Sequence, residues 1–317
     1  MDKLIEIQHL KKYFSVPTGL LHAVDDVTLS IERGTTMGVV GESGCGKSTL
    51  GRVMIHLHES TGGKILFEDR DVTNLSAKGL KMFRHNASII FQDPYSSLNP
   101  RMTVEATIKE ALKQSGKHYT DINTEVERIM DMVGLDKRFI RAYPHELDGG
   151  RRQRVGIGRA LAMDPKFIVC DEPVSALDVS IQAQILNLLM DLQDTYGLTY
   201  LFITHNMSVV RHISDNICVM YLGQLVETSP TDELFERPLH PYTKALLSAI
   251  PSIDIYNQKQ QIQIKGELVS PINPRPGCRF APRCDYACEA CSQPFELQEV
   301  IPGHFVACCR AKELNHL

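Results

Sequence analysis

The sequence of 317 residues lacks a long apolar run, an excess of basic residues and a cysteine-rich composition. No run of 18 or more apolar residues occurs, so no segment is predicted to span a membrane. The net charge of −4 argues against a nucleic-acid-binding protein, which is more often basic. The first 14 residues mix charged and apolar side chains, unlike a secretory signal, so the cytosol is the expected compartment.

Cysteine is scarce, because nine residues are too few for a disulfide scaffold in a chain of this length. Six of the nine nevertheless lie between Cys278 and Cys309. That clustering, together with the proline-rich sequence after about residue 231, predicts a separate C-terminal module.

The hydrophobic pattern predicts an α/β fold. Residues 4–7 and 27–31 alternate apolar and polar side chains, as half-buried strands do. Residues 167–170 and 199–204 are continuously apolar, which is typical of parallel strands that are buried on both faces. A predicted helix at 181–196 lies between them, and such alternation favours helices packed on a parallel sheet.

The most specific motif is a glycine-rich turn between a predicted strand and a predicted helix. It fits the pattern G-x-x-x-x-G-K-[ST] of a phosphate-binding loop. Its glycines let backbone N–H groups approach phosphate oxygens, Lys47 supplies a positive charge, and Ser48 offers a hydroxyl to Mg²⁺. The predicted ATP-binding segment is Gly41, Glu42, Ser43, Gly44, Cys45, Gly46, Lys47, Ser48 and Thr49.

Two acidic residues follow the apolar strand at 167–170. Asp171 is predicted to hold Mg²⁺ through its water shell, and Glu172 to polarise the attacking water as a general base. Alone, the pair is equally compatible with a surface acidic turn. Beside a phosphate-binding loop, the catalytic interpretation is favoured.

In their order along the chain, the motifs of residues 4–250 resemble those of the ABC ATPase family. The phosphate-binding loop is followed by Gln92, by Gly149-Gly150 at a helix start, by the Asp-Glu strand and by a turn at 175–178. A further strand ends in His205. The resemblance implies an α/β P-loop NTPase core at 1–250 with an antiparallel β subdomain and a helical subdomain at about 93–155. A small Cys-rich module at 251–317 would follow.

The resemblance also implies roles for individual residues. Two nucleotide-binding domains would close head to tail over two ATP molecules. Gln92, with Ser48 and Asp171, would contact Mg²⁺, and it would also contact the membrane subunits. His205 would touch the γ-phosphate, and Asp178 would lie across the dimer seam. Phe14 is expected to stack on adenine, with Tyr13 as the alternative.

One motif departs from the family pattern. The signature that normally reads Leu-Ser-Gly-Gly-Gln is here Leu147, Asp148, Gly149, Gly150 and Arg151. An ionised aspartate cannot donate to the partner-site γ-phosphate, and two like charges about 4 Å apart repel by about 4 kcal/mol at an effective dielectric of 20. Arg151 would offset part of this repulsion. We therefore expect a heterodimer in which the site served by this signature hydrolyses ATP slowly.

Three further stretches resemble the ATPases of oligopeptide, dipeptide and nickel importers. They are residues 91–100, 238–247 and 277–284. The resemblance implies a second, non-identical ATPase subunit, two transmembrane permease subunits and an extracellular or periplasmic solute-binding protein. The expected location is the cytoplasmic face of the cell membrane, and no nucleic-acid partner is expected.

The cysteine spacing in the tail predicts a cofactor. In this family the spacing can hold a [4Fe–4S] cluster, which would map to Cys278, Cys284, Cys291 and Cys308. Tetrahedral zinc and unliganded thiols remain alternatives, and Cys288 and Cys309 have no assigned role. At the other end of the chain, Cys45 stands at a predicted helix N-terminus, which is expected to lower its thiol pKa, so that thiol reagents inactivate the protein and ATP protects it.

Other functions fit the sequence less well. The chain has one ATPase cassette and neither a long coiled coil nor a fused membrane domain, unlike DNA-repair ABC proteins and exporters. It also lacks the Asn-Lys-x-Asp motif of GTPases. A regulatory ATP-binding protein remains an alternative. The sequence does not name the cargo: peptides are favoured, and nickel chelates or other small solutes stay open.

Overall fold

The computed structural model describes residues 2–250, 261–266 and 270–317. The strands are β1 (Lys3–Val16), β2 (Gly19–Glu32), β3 (Thr36–Val40), β4 (Gly62–Phe67), β5 (Arg70–Asp71), β6 (Ala87–Ile90), β7 (Phe167–Asp171), β8 (Thr199–Ile203), β9 (Asn216–Tyr221), β10 (Gln224–Pro230), β11 (Gln298–Ile301) and β12 (His304–Val306). The α-helices are α1 (Lys47–Met54), α2 (Ala77–Asn86), α3 (Pro94–Ser97), α4 (Val104–Gln114), α5 (Ile122–Met132), α6 (Gly149–Leu161), α7 (Val179–Tyr196), α8 (Met207–Ile213), α9 (Thr231–Glu236), α10 (Pro241–Ser248) and α11 (Ala311–Leu314).

An eight-stranded sheet forms the centre of the fold. Its order is β11-β12-β10-β9-β3-β8-β7-β6, and the five strands from β9 to β6 are parallel. Every residue of β3, β7 and β8 is buried. This agrees with the predicted α/β class, because continuous apolar strands are stable only where both faces are covered. The carboxyl ends of these strands meet at one edge of the sheet.

A second, antiparallel sheet has the order β2-β1-β4-β5. Its long hairpin β1–β2 extends well beyond the predicted strands at 4–7 and 27–31. The apolar–polar alternation breaks within β1 because the register shifts between Ile7 and Leu10, where His9 has φ of 50°. Such a bulge moves the following side chains to the opposite face, so the simple alternation ends although the strand continues.

The helices α3 to α6 lie between β6 and β7, and α4, α5 and α6 share one apolar cluster. Ile108 of α4, Ile129 of α5 and Ile157 of α6 are all buried in it. This is the region of the predicted helical subdomain at 93–155. In the structure, α6 continues beyond residue 155 to Leu161 and packs against the parallel sheet. The proposed domain limits themselves stay predictions.

The C-terminal part is joined to the central sheet. Strand β12 pairs with β10 through Glu227 opposite Val306 and Thr228 opposite Phe305, and β11 pairs with β12. The sequence favoured a separate module at 251–317, whereas the described residues show its hairpin extending the sheet. Among the residues that the structure describes, no helix has the length and apolarity needed to cross a membrane.

Candidate nucleotide-binding and hydrolysis site

The phosphate-binding loop connects β3 to α1 at the carboxyl edge of the central sheet. Gly41 has φ of 150° and Gly46 has φ of 106°. A Cβ atom at these positions would lie 2.2 Å from the carbonyl oxygen of Met220 and 2.0 Å from that of Ala23. Only glycine therefore permits this close approach of the backbone. Ser43 and Gly44 form the exposed tip of the loop.

Lys47 closes the loop from within. Its side chain is buried, and its ammonium group donates to the carbonyl oxygens of Gly41 at 2.8 Å and Glu42 at 2.9 Å. The charge is thereby held against two backbone carbonyl groups of the loop, and Thr49 follows in the first turn of α1. This arrangement suits the binding of an anionic phosphate group.

A hydroxyl and a carboxylate meet beside the loop. Ser48 Oγ donates to Asp171 Oδ1 at 2.6 Å, and Arg52 Nη2 donates to Asp171 Oδ2 at 3.2 Å. Asp171 ends β7 and is fully buried. Oxygen donors of this kind are what Mg²⁺ prefers, and Ser48 and Asp171 are two of the three predicted magnesium contacts. Sequence reasoning missed Arg52, because an arginine on the second turn of a helix carries no motif.

Glu172 links the remaining predicted residues. Gln92 Nε2 donates to Glu172 Oε2 at 3.0 Å, and His205 Nδ1 lies 3.2 Å from Glu172 Oε1. Glu172 has φ of 48°, a left-handed conformation that costs a non-glycine residue about 1–3 kcal/mol, and its N–H donates to the Ile203 carbonyl at 3.0 Å. The structure thus brings Gln92, Glu172 and His205 together from three segments of the chain.

Cys45 differs from its expected chemistry. Its side chain is only 1% exposed, and burial raises the pKa of the thiol, although the Lys47 ammonium acts in the opposite direction. The expectation of a lowered pKa was therefore wrong. Desolvation of the thiolate outweighs the positive potential of the helix N-terminus.

The two candidate adenine-stacking aromatics are adjacent on β1. Tyr13 donates its hydroxyl to Asp25, and its ring stacks on His22 with centroids 4.0 Å apart. Phe14 makes an edge contact with His58, with centroids 5.7 Å apart. One face of the Tyr13 ring is thus covered by His22. The assignment of Phe14 to adenine stays a prediction.

The signature segment begins α6. Asp148 caps this helix by accepting from the Arg151 N–H at 2.8 Å, and its second oxygen accepts from Arg151 Nη1 at 2.6 Å. Leu147, the residue before Asp148, is buried. A Cβ atom on Gly149 or Gly150 would lie 3.1 Å from Leu177 or 2.8 Å from Ile181, so the helix start lies close to the turn that contains Asp178. Asp148 therefore has a local cation partner.

The C-terminal cysteines surround one cavity. The lining includes all four predicted ligands and also Cys309: the cysteines are Cys278, Cys284, Cys291, Cys308 and Cys309. Burial raises the pKa of Cys278 to about 11.

The most compact group of sulfurs has a different membership. The Cys291 sulfur lies 3.8 Å from that of Cys288 and 3.7 Å from that of Cys309, and these three lie within 4.8 Å of one another. Only Cys291 belongs to both this trio and the predicted ligand set. The short 3-10 helix at Glu289–Ser292 brings Cys288 and Cys291 together within one turn, which the spacing of the sequence did not reveal.

Two tyrosines and an arginine next to the phosphate-binding loop were also missed. The N–H of Glu42 donates to Tyr242 Oη at 2.8 Å, and Arg283 binds the Glu42 carboxylate at 2.8 Å and the Tyr221 hydroxyl at 3.2 Å. Tyr242 lies in the segment at 238–247 that resembles importer ATPases, whereas no local signal identified Arg283.

Comparison with known families and proteins gives consistent results. The family described as "ABC transporter" matches residues 24–175, which include the phosphate-binding loop, Gln92, the signature and Glu172. The family described as "Oligopeptide/dipeptide transporter, C-terminal region" matches residues 226–291.

Individual relatives match nearly the whole chain. It is 49% identical to "Oligopeptide transport ATP-binding protein AppF" of Bacillus subtilis (strain 168), covering 97% of each chain. It is also 49% identical to "Oligopeptide transport ATP-binding protein OppF" of the same strain, covering 98% of each.

Solved structures agree with this similarity. The dimeric "MJ0796, a Bacterial ABC Transporter Cassette" matches with a TM-score of 0.66 and 26% identity, covering 72% of this chain and 98% of that one. The cbiO1 protein of Clostridium perfringens, described as part of the ABC transporter complex cbiONQ, matches with a TM-score of 0.67 and 28% identity, covering 75% and 92%. The chain therefore belongs to the ABC transporter family as one of its ATPase subunits, and its C-terminal part belongs to the oligopeptide/dipeptide transporter C-terminal region.

Proposed function

We propose that this chain hydrolyses ATP to power the uptake of peptides by a multi-subunit ABC importer. The observation that carries the proposal is the contact of Glu172 with both Gln92, by a hydrogen bond, and His205, at 3.2 Å, directly beside the Ser48–Asp171 pair. Two of the relatives are named oligopeptide transport ATP-binding proteins, which supports peptides as the cargo.

Each residue of the site has a chemical role in this proposal. The amides of the loop and the Lys47 ammonium bind the phosphates, and Glu172 accepts a proton from the attacking water. His205 positions the Glu172 carboxylate and faces the terminal phosphate. Ser48, Asp171 and Gln92 would hold Mg²⁺, which neutralises the charge that develops on the phosphate oxygens.

The assembly is a pair of ATPase subunits on a membrane complex. Two subunits bind ATP head to tail, so that Asp178 and the signature of one face the phosphate loop of the other. Two permease subunits, with which Gln92 would communicate, span the membrane, and an external binding protein delivers the solute. The chain acts at the cytoplasmic face of that membrane.

The signature Asp148 makes a non-identical partner more suitable than a second copy. The Arg151 guanidinium offsets part of the charge of Asp148, but an ionised aspartate still cannot donate a hydrogen bond to a phosphate as a serine can. The site completed by this signature would therefore hydrolyse ATP more slowly than the site that uses Glu172 of this chain. If Asp148→Ser left the ATPase rate of the assembled complex unchanged, this asymmetry would be refuted.

The cysteine-lined cavity fits a soft metal group. Four predicted ligands line it together, and thiolates suit both iron–sulfur clusters and zinc. We propose that Cys278, Cys284, Cys291 and Cys308 hold a [4Fe–4S] cluster, which would cross-link this part of the chain. Absorption near 400 nm and four irons per chain after anaerobic purification would support the cluster; a colourless, zinc-loaded protein would refute it.

The test of the proposed function is transport by the reconstituted complex. We expect proteoliposomes that contain the chain with its permease and ATPase partners to take up a labelled peptide only with MgATP inside the compartment that the ATPases face. Glu172→Gln should bind ATP and abolish uptake. Turnover by Glu172→Gln at the parent rate would contradict the assigned base, and uptake of a nickel chelate in place of peptides would contradict the cargo.

A further inference from the structure

The loop between Cys278 and Cys284 reaches back to the phosphate-binding loop. Two of its members, Arg279 and Arg283, have side chains that are only 7% and 9% exposed. Their partners, Asp25 and Glu42, lie 254 and 241 residues away along the chain. Buried arginines of this kind need a carboxylate partner, so the loop is fixed in place by the ATPase core.

Arg283 forms a bidentate salt bridge with the Glu42 carboxylate. Nη1 donates to Oε2 at 2.8 Å and Nη2 donates to Oε1 at 3.2 Å. Nη1 lies also 3.2 Å from the Tyr221 hydroxyl. The two parallel bonds set the orientation of the carboxylate as well as its charge, which a single ammonium group does not do.

Glu42 is itself the residue that follows Gly41 in the phosphate-binding loop. Its N–H donates to Tyr242 Oη, and its carbonyl oxygen accepts from Lys47 Nζ. Its side chain, its N–H and its carbonyl are therefore all held. A shift of Glu42 would move the carbonyl that fixes the Lys47 ammonium.

The contact between Arg283 and Glu42 also affects the electrostatics of phosphate binding, because Glu42 is charged. An anionic side chain in the first half of the loop opposes the binding of a triphosphate, because like charges repel across a distance of several ångströms. The guanidinium of Arg283 offsets the charge of that carboxylate through two hydrogen bonds. Phe280, between the two arginines, packs against Tyr242 with centroids 5.3 Å apart and keeps the segment in place.

We propose that Arg283 is a positioning residue for ATP binding: it neutralises and orients Glu42, and so makes the phosphate-binding loop depend on the Cys278–Cys284 loop. This inference rests on the proposed ATP site. A disturbance of the Cys278–Cys284 loop would reach the nucleotide through this ion pair. Arg279 fixes the same loop to Asp25, the residue that accepts from the Tyr13 hydroxyl.

The experiment measures the Kd of the intact chain for MgATP by titration calorimetry. We expect Arg283→Ala to raise the Kd about tenfold. Arg283→Lys should give an intermediate Kd, because lysine keeps the positive charge and loses the bidentate hydrogen bonding to Glu42. The double variant Glu42→Gln with Arg283→Ala should recover most of the lost affinity, since the uncompensated charge is gone. Lys265→Ala, which removes an exposed ion pair to Asp285 in the same module, is the matched control and should bind as the parent does.

Hydrogen exchange distinguishes positioning from general loss of structure. In Arg283→Ala, exchange should rise at residues 41–48 and stay at the parent level in β7 and β8. The proposal is overturned if Arg283→Ala binds MgATP within twofold of the parent, or if Glu42→Gln fails to rescue it while exchange rises throughout the sheet. Lys47→Ala tests the underlying site separately: if that variant also binds normally, the ATP site itself is wrong.

Discussion

The nucleotide site and the cysteine module are built from contacts of different range. In the nucleotide site, strand ends and their adjoining loops carry the predicted functional groups, and these groups lie within or close to recognisable motifs, with Arg52 as an exception. In the cysteine module, two of the contacts that fix its position, Arg283 with Glu42 and Arg279 with Asp25, join residues more than 200 positions apart. The first region is therefore locally encoded, whereas the second depends on the completed fold.

The two regions also differ in where they place polar groups. Around Glu172, polar atoms face an open edge of the sheet, and His205 is 58% exposed. At the junction of the C-terminal hairpin with the core, Glu227 and His304 are fully buried. Buried polar pairs stabilise only while every partner is present, so the module should be the more sensitive region to substitutions that affect folding.

The largest expected effect follows from removing the buried partner of Glu227. His304 Nε2 lies 2.7 Å from Glu227 Oε1, and the same carboxylate accepts from the backbone N–H groups of Leu239 and His240. We expect His304→Ala to lower the free energy of unfolding by about 3–5 kcal/mol, because a buried carboxylate loses a partner. Urea unfolding followed by circular dichroism measures this change.

The control for this prediction is His316→Ala, which alters an exposed histidine close by in the sequence. It should change the free energy of unfolding by less than about 0.5 kcal/mol. Equal stabilities of His304→Ala and the parent would show that the junction with the core sheet contributes little.

A somewhat smaller effect is expected from pH. Burial lowers the pKa of His240 to about 4, although Glu227 acts in the opposite direction. Between about pH 6.5, the ordinary value, and pH 4, the unfolded chain binds a proton at this site that the folded chain does not, so stability falls as the pH falls. The parent should lose roughly 3 kcal/mol through this group over that range.

The variant that isolates this effect is His240→Asn. His240 Nδ1 accepts from the Tyr242 N–H at the start of α10, and an asparagine oxygen can take the same cap position without titrating. The free energy of unfolding of the parent minus that of the variant should fall by roughly 3 kcal/mol from pH 6.5 to pH 4. His118→Asn, at an exposed position, should follow the parent; a constant difference for His240→Asn would contradict the assigned titration.

In the nucleotide site, His205→Ala should slow ATP hydrolysis about 100-fold, which corresponds to about 2.7 kcal/mol in the barrier. The reason is the loss of the contact that orients the Glu172 carboxylate. The Kd for MgATP should change less than threefold. Steady-state hydrolysis by the assembled complex measures the rate, and titration of the isolated chain with MgATP measures the Kd.

His212→Ala is the matched control, since His212 is an exposed histidine on the neighbouring helix α8. It should leave both quantities at the parent values. A large rise in Kd with an unchanged rate would assign His205 to nucleotide binding in place of orientation of the base.

The sequence predicted the parts of the fold that local physics determines. Glycine at 41 and 46 is required by the backbone itself, and the fully buried strands β3, β7 and β8 are predominantly apolar. The grouping of Gln92, Glu172 and His205 also follows, because neighbouring parallel strands end at one edge. These features need no knowledge of distant contacts.

The remaining features depend on tertiary structure. The pairing of β12 with β10 and the Arg283–Glu42 contact join distant segments whose local sequences carry no pairing signal. The extension of β1 was missed because the bulge near His9 interrupts the alternation. For Cys45 the helix position was read correctly, but the burial that reverses its pKa shift could not be known before the loop was folded.

The smallest expected effect concerns thiol reactivity, which should differ between the two regions. Burial raises the pKa of Cys45 and keeps it protonated at neutral pH. For Cys288, desolvation is the largest single influence and raises the pKa of the thiol, but hydrogen bonds from Cys291, Cys309 and nearby backbone N–H groups together outweigh it, so the pKa is lowered. Because the thiolate is the nucleophile, Cys288 should react with iodoacetamide at least about tenfold faster than Cys45 in the metal-free, reduced chain.

Peptide mapping by mass spectrometry at several reaction times measures both rates in one sample. Saturating MgATP should leave the slow rate at Cys45 nearly unchanged, because the folded loop already shields the sulfur before any nucleotide binds. Rapid alkylation of Cys45 with strong protection by MgATP would instead show that the loop opens readily without nucleotide. The phosphate-binding loop would then be more mobile than the cysteine module. Its rigidity would depend on the nucleotide more than on the contacts that hold Glu42 and Lys47.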